Sequence, residues 1–326
     1  MSYGRESRAR RTVSKFVWAS AGFLVFAASP LRVSAQLDLS ILQRDGYGSV
    51  SLRRPKPNEL IAKATINGRA ANLVVDTGWG GPGISLDSQY ASTLHKTADA
   101  KVIKGQALTG RTLSLGRAMA DTVVLGNVQL KGVETFLGTF DTLREHDTRR
   151  DVGADGFVGA GFLRMNSAIV DLQNLKLYLR PPRTGRRAEI GGAMKAVGLA
   201  VAPFTALEHG EYLVDVEINR VSGRMIVDTG AYITSIDGRY RDLLKLSGHV
   251  AYETTDAAGV HSEADSVSPG NFKIGGVSVE ISRVAMSNFG TKNSSRILGI
   301  LGMDFLGQRW SIIDFGSERL YFSPAK

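Results

Sequence analysis

The chain has 326 residues, 43% of them hydrophobic, with 40 Lys and Arg against 31 Asp and Glu for a formal charge of +9, and it has no cysteine. The lack of cysteine excludes a disulfide scaffold and a thiolate metal site, and 22% charged residues with 37 glycines and 9 prolines is a globular rather than a low-complexity composition. At about 150 residues per domain two domains are expected, each large enough to bury a core without covalent staples.

The first segment in chain order is basic (Arg5, Arg8, Arg10, Arg11, Lys15), then apolar over 16–28, then small at Val33, Ser34 and Ala35. This is the pattern of an export signal over 1–35, with the mature chain starting near Gln36 and working in the periplasm or outside the cell. Its apolar stretch is shorter than the roughly 20 residues of a spanning helix, which leaves an uncleaved membrane anchor as the alternative. Without this segment the count is 34 basic against 30 acidic side chains. So small a balance, with no basic run interleaved with aromatics, excludes a nucleic-acid partner.

The rest of the sequence repeats itself. ANLVVDTG (71–78) returns as GRMIVDTG (223–230), DGFVGAGFL (155–163) as LGILGMDFL (298–306), and AIVDLQNLKLYLRP (168–181) as SIIDFGSERLYFSP (311–324). From Asp76 to Gly159 is 83 residues and from Asp228 to Gly302 is 74, so the first copy carries an insertion, assigned to the polar stretch 141–151. The expected organisation is a lobe over 36–182, a linker over 183–196 and a second lobe over 197–326.

Short runs of Val, Ile, Leu and Tyr, separated by turns such as Asn67-Gly68, Gly126-Asn127 and Gly275-Gly276, predict an all-β chain of short hairpins. Short helices are expected only at 88–96 and 238–246, in matching places of the two copies. The stretch 36–57 reads as an edge strand, with a masking pro-segment as the alternative.

Chemistry concentrates at Asp76 and Asp228. Each follows three apolar residues, so a carboxylate stands where a buried strand ends, a costly place for a charge without a role or a partner. Capping of turns by both aspartates is the bland alternative. Other chemistries lack support. Gly78, Gly80 and Gly83 have the spacing of a nucleotide-binding loop, but Pro82 and the residues after Gly83 do not open a helix. The five histidines are scattered, with no pair four residues apart, and no G-x-S-x-G occurs. No cofactor and no metal are expected.

VVDTG (74–78) with FVG (157–159), and IVDTG (226–230) with ILG (300–302), resemble the aspartic peptidases, specifically the retropepsin-like type of exported bacterial proteins, here as a tandem. The resemblance spans roughly 50–324. It implies two homologous β-barrel lobes of the acid-protease kind with a cleft between them, and Asp76 and Asp228 as the catalytic pair holding one water. It further implies that Thr77 and Thr229 are buried and bonded across the lobes, that Gly78 and Gly230 permit close approach of the carboxylates, and that 157–159 and 300–302 pack behind them.

Two like carboxylates held together share one proton, and so supply both the base and the acid that peptide hydrolysis requires; aspartic proteases are the standard illustration of this effect. The implied activity is that of an endopeptidase acting on peptides or unfolded proteins, as a monomer whose lobes form an intrachain pseudo-dimer. A catalytically silent peptide-binding or structural protein on the same scaffold is the alternative. Departures from the pattern are Trp79, where a small or hydroxylated residue is usual, and Gly161, where the second copy has Asp304. Trp79 and Ala231 are assigned to substrate binding. Neither carries a hydroxyl to stabilise an ionised pair, so a less acidic optimum than that of gastric-type relatives is expected. Hairpins at 105–116 and 254–266 are candidate flaps over the cleft.

Overall fold

The computed structural model describes residues 39–55, 59–81, 83–97, 102–106, 112–140, 153–182, 189–207, 210–248, 251–255, 261–289 and 296–324. The export segment 1–35, the insertion at 141–151 and part of the linker lie outside the described residues. Residues 36–326 form one compact unit.

The first lobe is a closed ring of strands. Ile61–Ile66 pairs with Arg69–Asp76, which runs parallel to Gly156–Gly159; Gly156–Gly159 is antiparallel to Ile84–Asp87, which runs parallel to Val128–Gly138. Val128–Gly138 returns through Thr112–Leu125 to Ile61–Ile66, closing the barrel and leaving no open edge in the ring.

The second lobe follows the same order with Tyr212–Ile218, Val221–Val227, Ile297–Leu301, Ser235–Asp237 and Val284–Ser287. Its long hairpin is broken in two: His261–Val267 pairs with Val284–Ser287, and Phe272–Ile274 pairs with both Val277–Val279 and Tyr212–Ile218.

A third, antiparallel sheet joins the lobes, in the order Gly48–Arg53, Lys176–Leu179, Ile169–Asp171, Ile312–Asp314, Arg319–Phe322 and Ala200–Ala206. Its central register is symmetric, Ile169 facing Asp314, Val170 facing Ile313 and Asp171 facing Ile312. The outer strands carry the chain onward into each barrel, where Leu52 faces Ala62 and Phe204 faces Val214. Residues 36–57 therefore contain a helix, Leu39–Arg44, and a strand built into the sheet. The helix Gly191–Ala196, within the expected linker, buries Met194 with Leu42, Tyr178 and Tyr321 against this sheet.

Local chemistry accounts for the turns. Asn67 and Gly68 both lie at positive φ, 46° and 85°, the left-handed pair that a tight two-residue hairpin requires. Asn219 and Arg220 make the corresponding turn at 49° and 69°. Arg220 is not a residue that marks such a turn in sequence; Asn219 secures it, its Nδ2 donating to Leu244 O and its Oδ1 accepting from Asn271 N, as Asn67 does with Thr93 O and Thr122 N. The expected short helices are single 3-10 segments, Ser88–Thr93 and Gly238–Tyr240, capped by Asp87 and Asp237, whose side chains accept from the amides of Gln89 and Arg239.

Ile84–Asp87, Gly156–Gly159 and Ile169–Asp171 are buried at every position, and the polar residues Ser85, Asp87 and Asp171 are buried with them. Exposed strands alternate, as in Ala200–Ala206. Among the described residues no helix is long and apolar enough to cross a membrane.

Candidate active site

Asp76 ends a strand whose neighbour is Gly159, and Asp228 follows the strand that runs beside Leu301. In both places the backbone turns and folds its own amides onto the carboxylate. Asp76 Oδ1 accepts from Gly78 N at 3.0 Å and Trp79 N at 3.1 Å; Asp228 Oδ1 accepts from Gly230 N at 2.8 Å and Ala231 N at 3.1 Å. Each carboxylate is thereby oriented by two donors fixed in its own loop, which leaves the second oxygen for the space between the lobes.

The two loops approach head to head. A Cβ added to Gly78 would overlap the carboxylate of Asp228, and one added to Gly230 would overlap that of Asp76. Only glycine fits at either point, because the opposite carboxylate occupies the volume a side chain would take. Beneath them Thr77 and Thr229 are fully buried and interlocked. Thr77 Oγ1 donates to Val227 O at 2.7 Å and accepts from Thr229 N at 3.0 Å; Thr229 Oγ1 donates to Val75 O at 2.7 Å and accepts from Thr77 N at 3.1 Å. Both hydroxyls thus use donor and acceptor capacity across the junction.

The carboxyls share a hydrogen bond, and burial shifts both upward. Asp76 is held well above the ordinary carboxylate range, first by burial, then by the charge of Asp228 and by their mutual hydrogen bond. Asp228 is also raised by burial, partly offset by the bonds it accepts from Gly230, Asp76, Ala231 and Gly78. Ionising the first group leaves a charge that opposes ionising the second, so the pair retains one proton over an extended pH range. An acid and a base are then present side by side.

The loops behind the aspartates are held by different means. In the first lobe the Trp79 indole stacks on Phe157 (centroids 5.0 Å apart), meets Phe140 edge-on and donates to Ser85 Oγ at 2.9 Å. Its ring therefore packs into an aromatic cluster with Val74 and Leu115, while its amide serves Asp76.

In the second lobe the small Ala231 takes the matching backbone position, and the clamp is polar. Asp304 Oδ1 accepts from Thr234 N at 2.7 Å, Thr234 Oγ1 at 2.6 Å and Phe305 N at 2.9 Å, and Thr234 Oγ1 accepts in turn from Gly302 N. Reading the sequence did not single out Thr234 or Ser85, because a lone hydroxyl acquires meaning only when the fold sets its partner beside it. Gly161, which stands where the other copy has Asp304, lies against Gly210 of the second lobe.

Both candidate flaps are hairpins in their described parts. Val102–Gln106 pairs with residues 112–116, and Ala251–Thr255 pairs with residues 261–265. The tips at 107–111 and 256–260 lie outside the described residues. Among the described residues no group of three or more acidic or histidine side chains is arranged to hold a metal.

Comparison with known proteins agrees with this geometry at the level of architecture. Residues 214–308 match the family model described as "gag-polyprotein putative aspartyl protease". The crystal structure of an aspartic proteinase from Irpex lacteus superposes with a TM-score of 0.53 at 16% identity, covering 86% of this chain and 97% of that one. No curated protein sequence matches the chain. The fold is a two-lobed, mostly β acid-protease architecture with few short helices.

Proposed function

We propose that the protein is an aspartic endopeptidase that hydrolyses peptide bonds with a water activated by Asp76 and Asp228, one from each lobe of a chain that arose by duplication. The observation that carries this reading is the pair of buried, hydrogen-bonded carboxyls, each oriented by two amides of its own loop and both raised above the ordinary carboxylate range. The ionised member takes a proton from water as it attacks the carbonyl carbon, while the protonated member donates to the carbonyl oxygen. The roles reverse as the amine leaves. Thr77, Gly78, Thr229 and Gly230 keep the carboxyls in register, and Trp79 and Ala231 border the substrate, Trp79 through its backbone because its ring packs against Phe157.

The substrate is a peptide or unfolded protein, entering as an extended strand whose backbone pairs with the hairpins on either side. The match of residues 214–308 to an aspartyl protease family supports the peptidase reading. A single chain supplies both lobes, so the working unit is a monomer. The basic, apolar and small-residue segments of 1–35 direct the protein out of the cytoplasm.

The test is digestion of a denatured protein mixture across pH 3–7 by wild type, Asp76→Asn and Asp228→Asn. Cleavage by wild type and none by either variant is expected. Activity surviving in one variant would overturn the shared pair, and a wild type that binds peptides without cutting them would make the protein a binding module. N-terminal sequencing of the mature protein, expected to begin near Gln36, tests export.

A further inference from the structure

The residues that follow the two Asp-Thr-Gly triplets are Trp79-Gly80 in the first lobe and Ala231-Tyr232 in the second, so each lobe carries one aromatic, displaced by one position. The displacement reverses where the ring goes. Trp79 and Ala231 occupy equivalent backbone sites, each donating its amide to the adjacent aspartate and accepting at its carbonyl, from Ala160 N at 2.8 Å and from Met303 N at 2.9 Å. From that site the indole is directed into the lobe, against Phe157 and Ser85. One residue further on, Tyr232 is 58% exposed. Its counterpart is Gly80, and at the next residue, Gly81, the position of a Cβ has no atom within 4 Å. After Asp228 the loop thus carries an exposed aromatic ring; after Asp76 the matching residues carry no side chain, and among the described residues the Cβ direction of Gly81 is open.

Resting on the reading of the site as a peptidase, we infer that Tyr232 is a specificity-determining residue, the surface against which one substrate side chain packs on the second-lobe side of the scissile bond. Singly exposed apolar residues are ordinary on protein surfaces. Tyr232 differs in where it stands and how firmly it is carried. It is four residues from Asp228, on a loop pinned before it by Ala231 and after it by the bonds of Thr234 to Asp304. A ring with few rotatable bonds, on a backbone fixed at both ends, loses little freedom when a ligand packs on it, which is what suits tyrosine to recognition. The side chain it accepts is large and apolar or aromatic. Gly80 and Gly81 impose no such demand on the other side, so selectivity is one-sided and the substrate has a preferred direction in a cleft built from two similar halves.

The experiment compares wild type, Tyr232→Ala and Tyr232→Phe by cleavage-site profiling of a peptide library, with binding of the same library measured in the Asp76→Asn background. Wild type is expected to favour bulky apolar residues at one position by roughly 10-fold or more. Tyr232→Ala should lose that preference through KM, with the profile across the bond unchanged, and Tyr232→Phe should keep it. An unchanged profile in Tyr232→Ala, or an equal loss on both sides of the bond, would overturn the inference. If wild type cleaves nothing, the peptidase reading fails, and binding decides the role of Tyr232: affinity for bulky apolar peptides that falls with Tyr232→Ala supports it, and affinity that does not change refutes it.

Discussion

Thr77 and Thr229 grip each other's strands reciprocally, each hydroxyl donating to a carbonyl of the opposite lobe and accepting the other threonine's amide. Four buried bonds therefore tie the two aspartate loops into one unit, and the separation of the carboxyls is set from below. Thr77→Val removes the hydroxyl and strands the Thr229 amide and the Val227 carbonyl away from water. At about 1–3 kcal/mol for each unpaired buried group, urea denaturation should show a loss of about 2–6 kcal/mol, with activity falling in parallel. Thr77→Ser keeps both bonds and should recover most of the loss.

Asp76 and Asp228 are both raised, so the folded state holds more protons than the unfolded state once the pH passes the ordinary carboxylate range. The sign follows: the unfolded chain binds fewer protons there, and the stability associated with the pair falls as pH rises through the folded values. Asp76→Asn removes a carboxyl that burial keeps from ionising. Thermal melts should show the variant more stable than wild type at pH 7, by about 1–3 kcal/mol, with the difference closing toward pH 3.

The pH-rate profile reports the same pair. Activity requires one proton on two carboxyls, and the upward shifts, with no hydroxyl at Trp79 or Ala231, move that window away from strong acid. A bell-shaped kcat/KM with its maximum above about pH 3 is expected. A maximum below that value would contradict the arrangement.

Gly230→Ala places a methyl group on the Asp76 carboxylate. Overpacking at this contact should cost about 1–3 kcal/mol of stability. Displacing a reacting group by about 1 Å should lower kcat on the order of 100-fold. Circular dichroism and steady-state kinetics on one preparation separate the two effects, and kinetics should suffer more.

Asp304 holds Thr234 and Phe305 through one carboxylate oxygen, and burial raises it above the ordinary range. Asp304→Ala leaves those donors unpaired and should cost about 2–4 kcal/mol. Asp304→Asn keeps an acceptor oxygen and should retain most of the stability, as measured by chemical denaturation at pH 6.

Several parts of this architecture were legible in the order of residues. The Asn67-Gly68 and Gly275-Gly276 hairpins were readable because turn chemistry is local: both positions of each turn lie at positive φ, which few residues tolerate. The Asn219-Arg220 turn was not, because Arg220 stands at positive φ where the first copy has Gly68, and the bonds of Asn219 to Leu244 and Asn271 that hold the turn come from residues distant in sequence. The two expected helices proved to be shorter 3-10 segments that start at the caps Asp87 and Asp237; the first ends where the chain turns extended at Leu94 into the strand His95–Lys96.

Repetition of Asp-Thr-Gly after an apolar run marked Asp76 and Asp228 from the sequence alone, since a carboxylate at the end of a buried strand is costly wherever it is found. Sequence could not say that Trp79 turns inward to Phe157 while Tyr232 is exposed, that Gly161 lies near Gly210, or that Thr234 and Asp304 form a clamp. Those outcomes depend on which barrel wall stands opposite each side chain. Only closure of two rings about the Val170–Ile313 register decides that, by bringing together residues far apart along the chain.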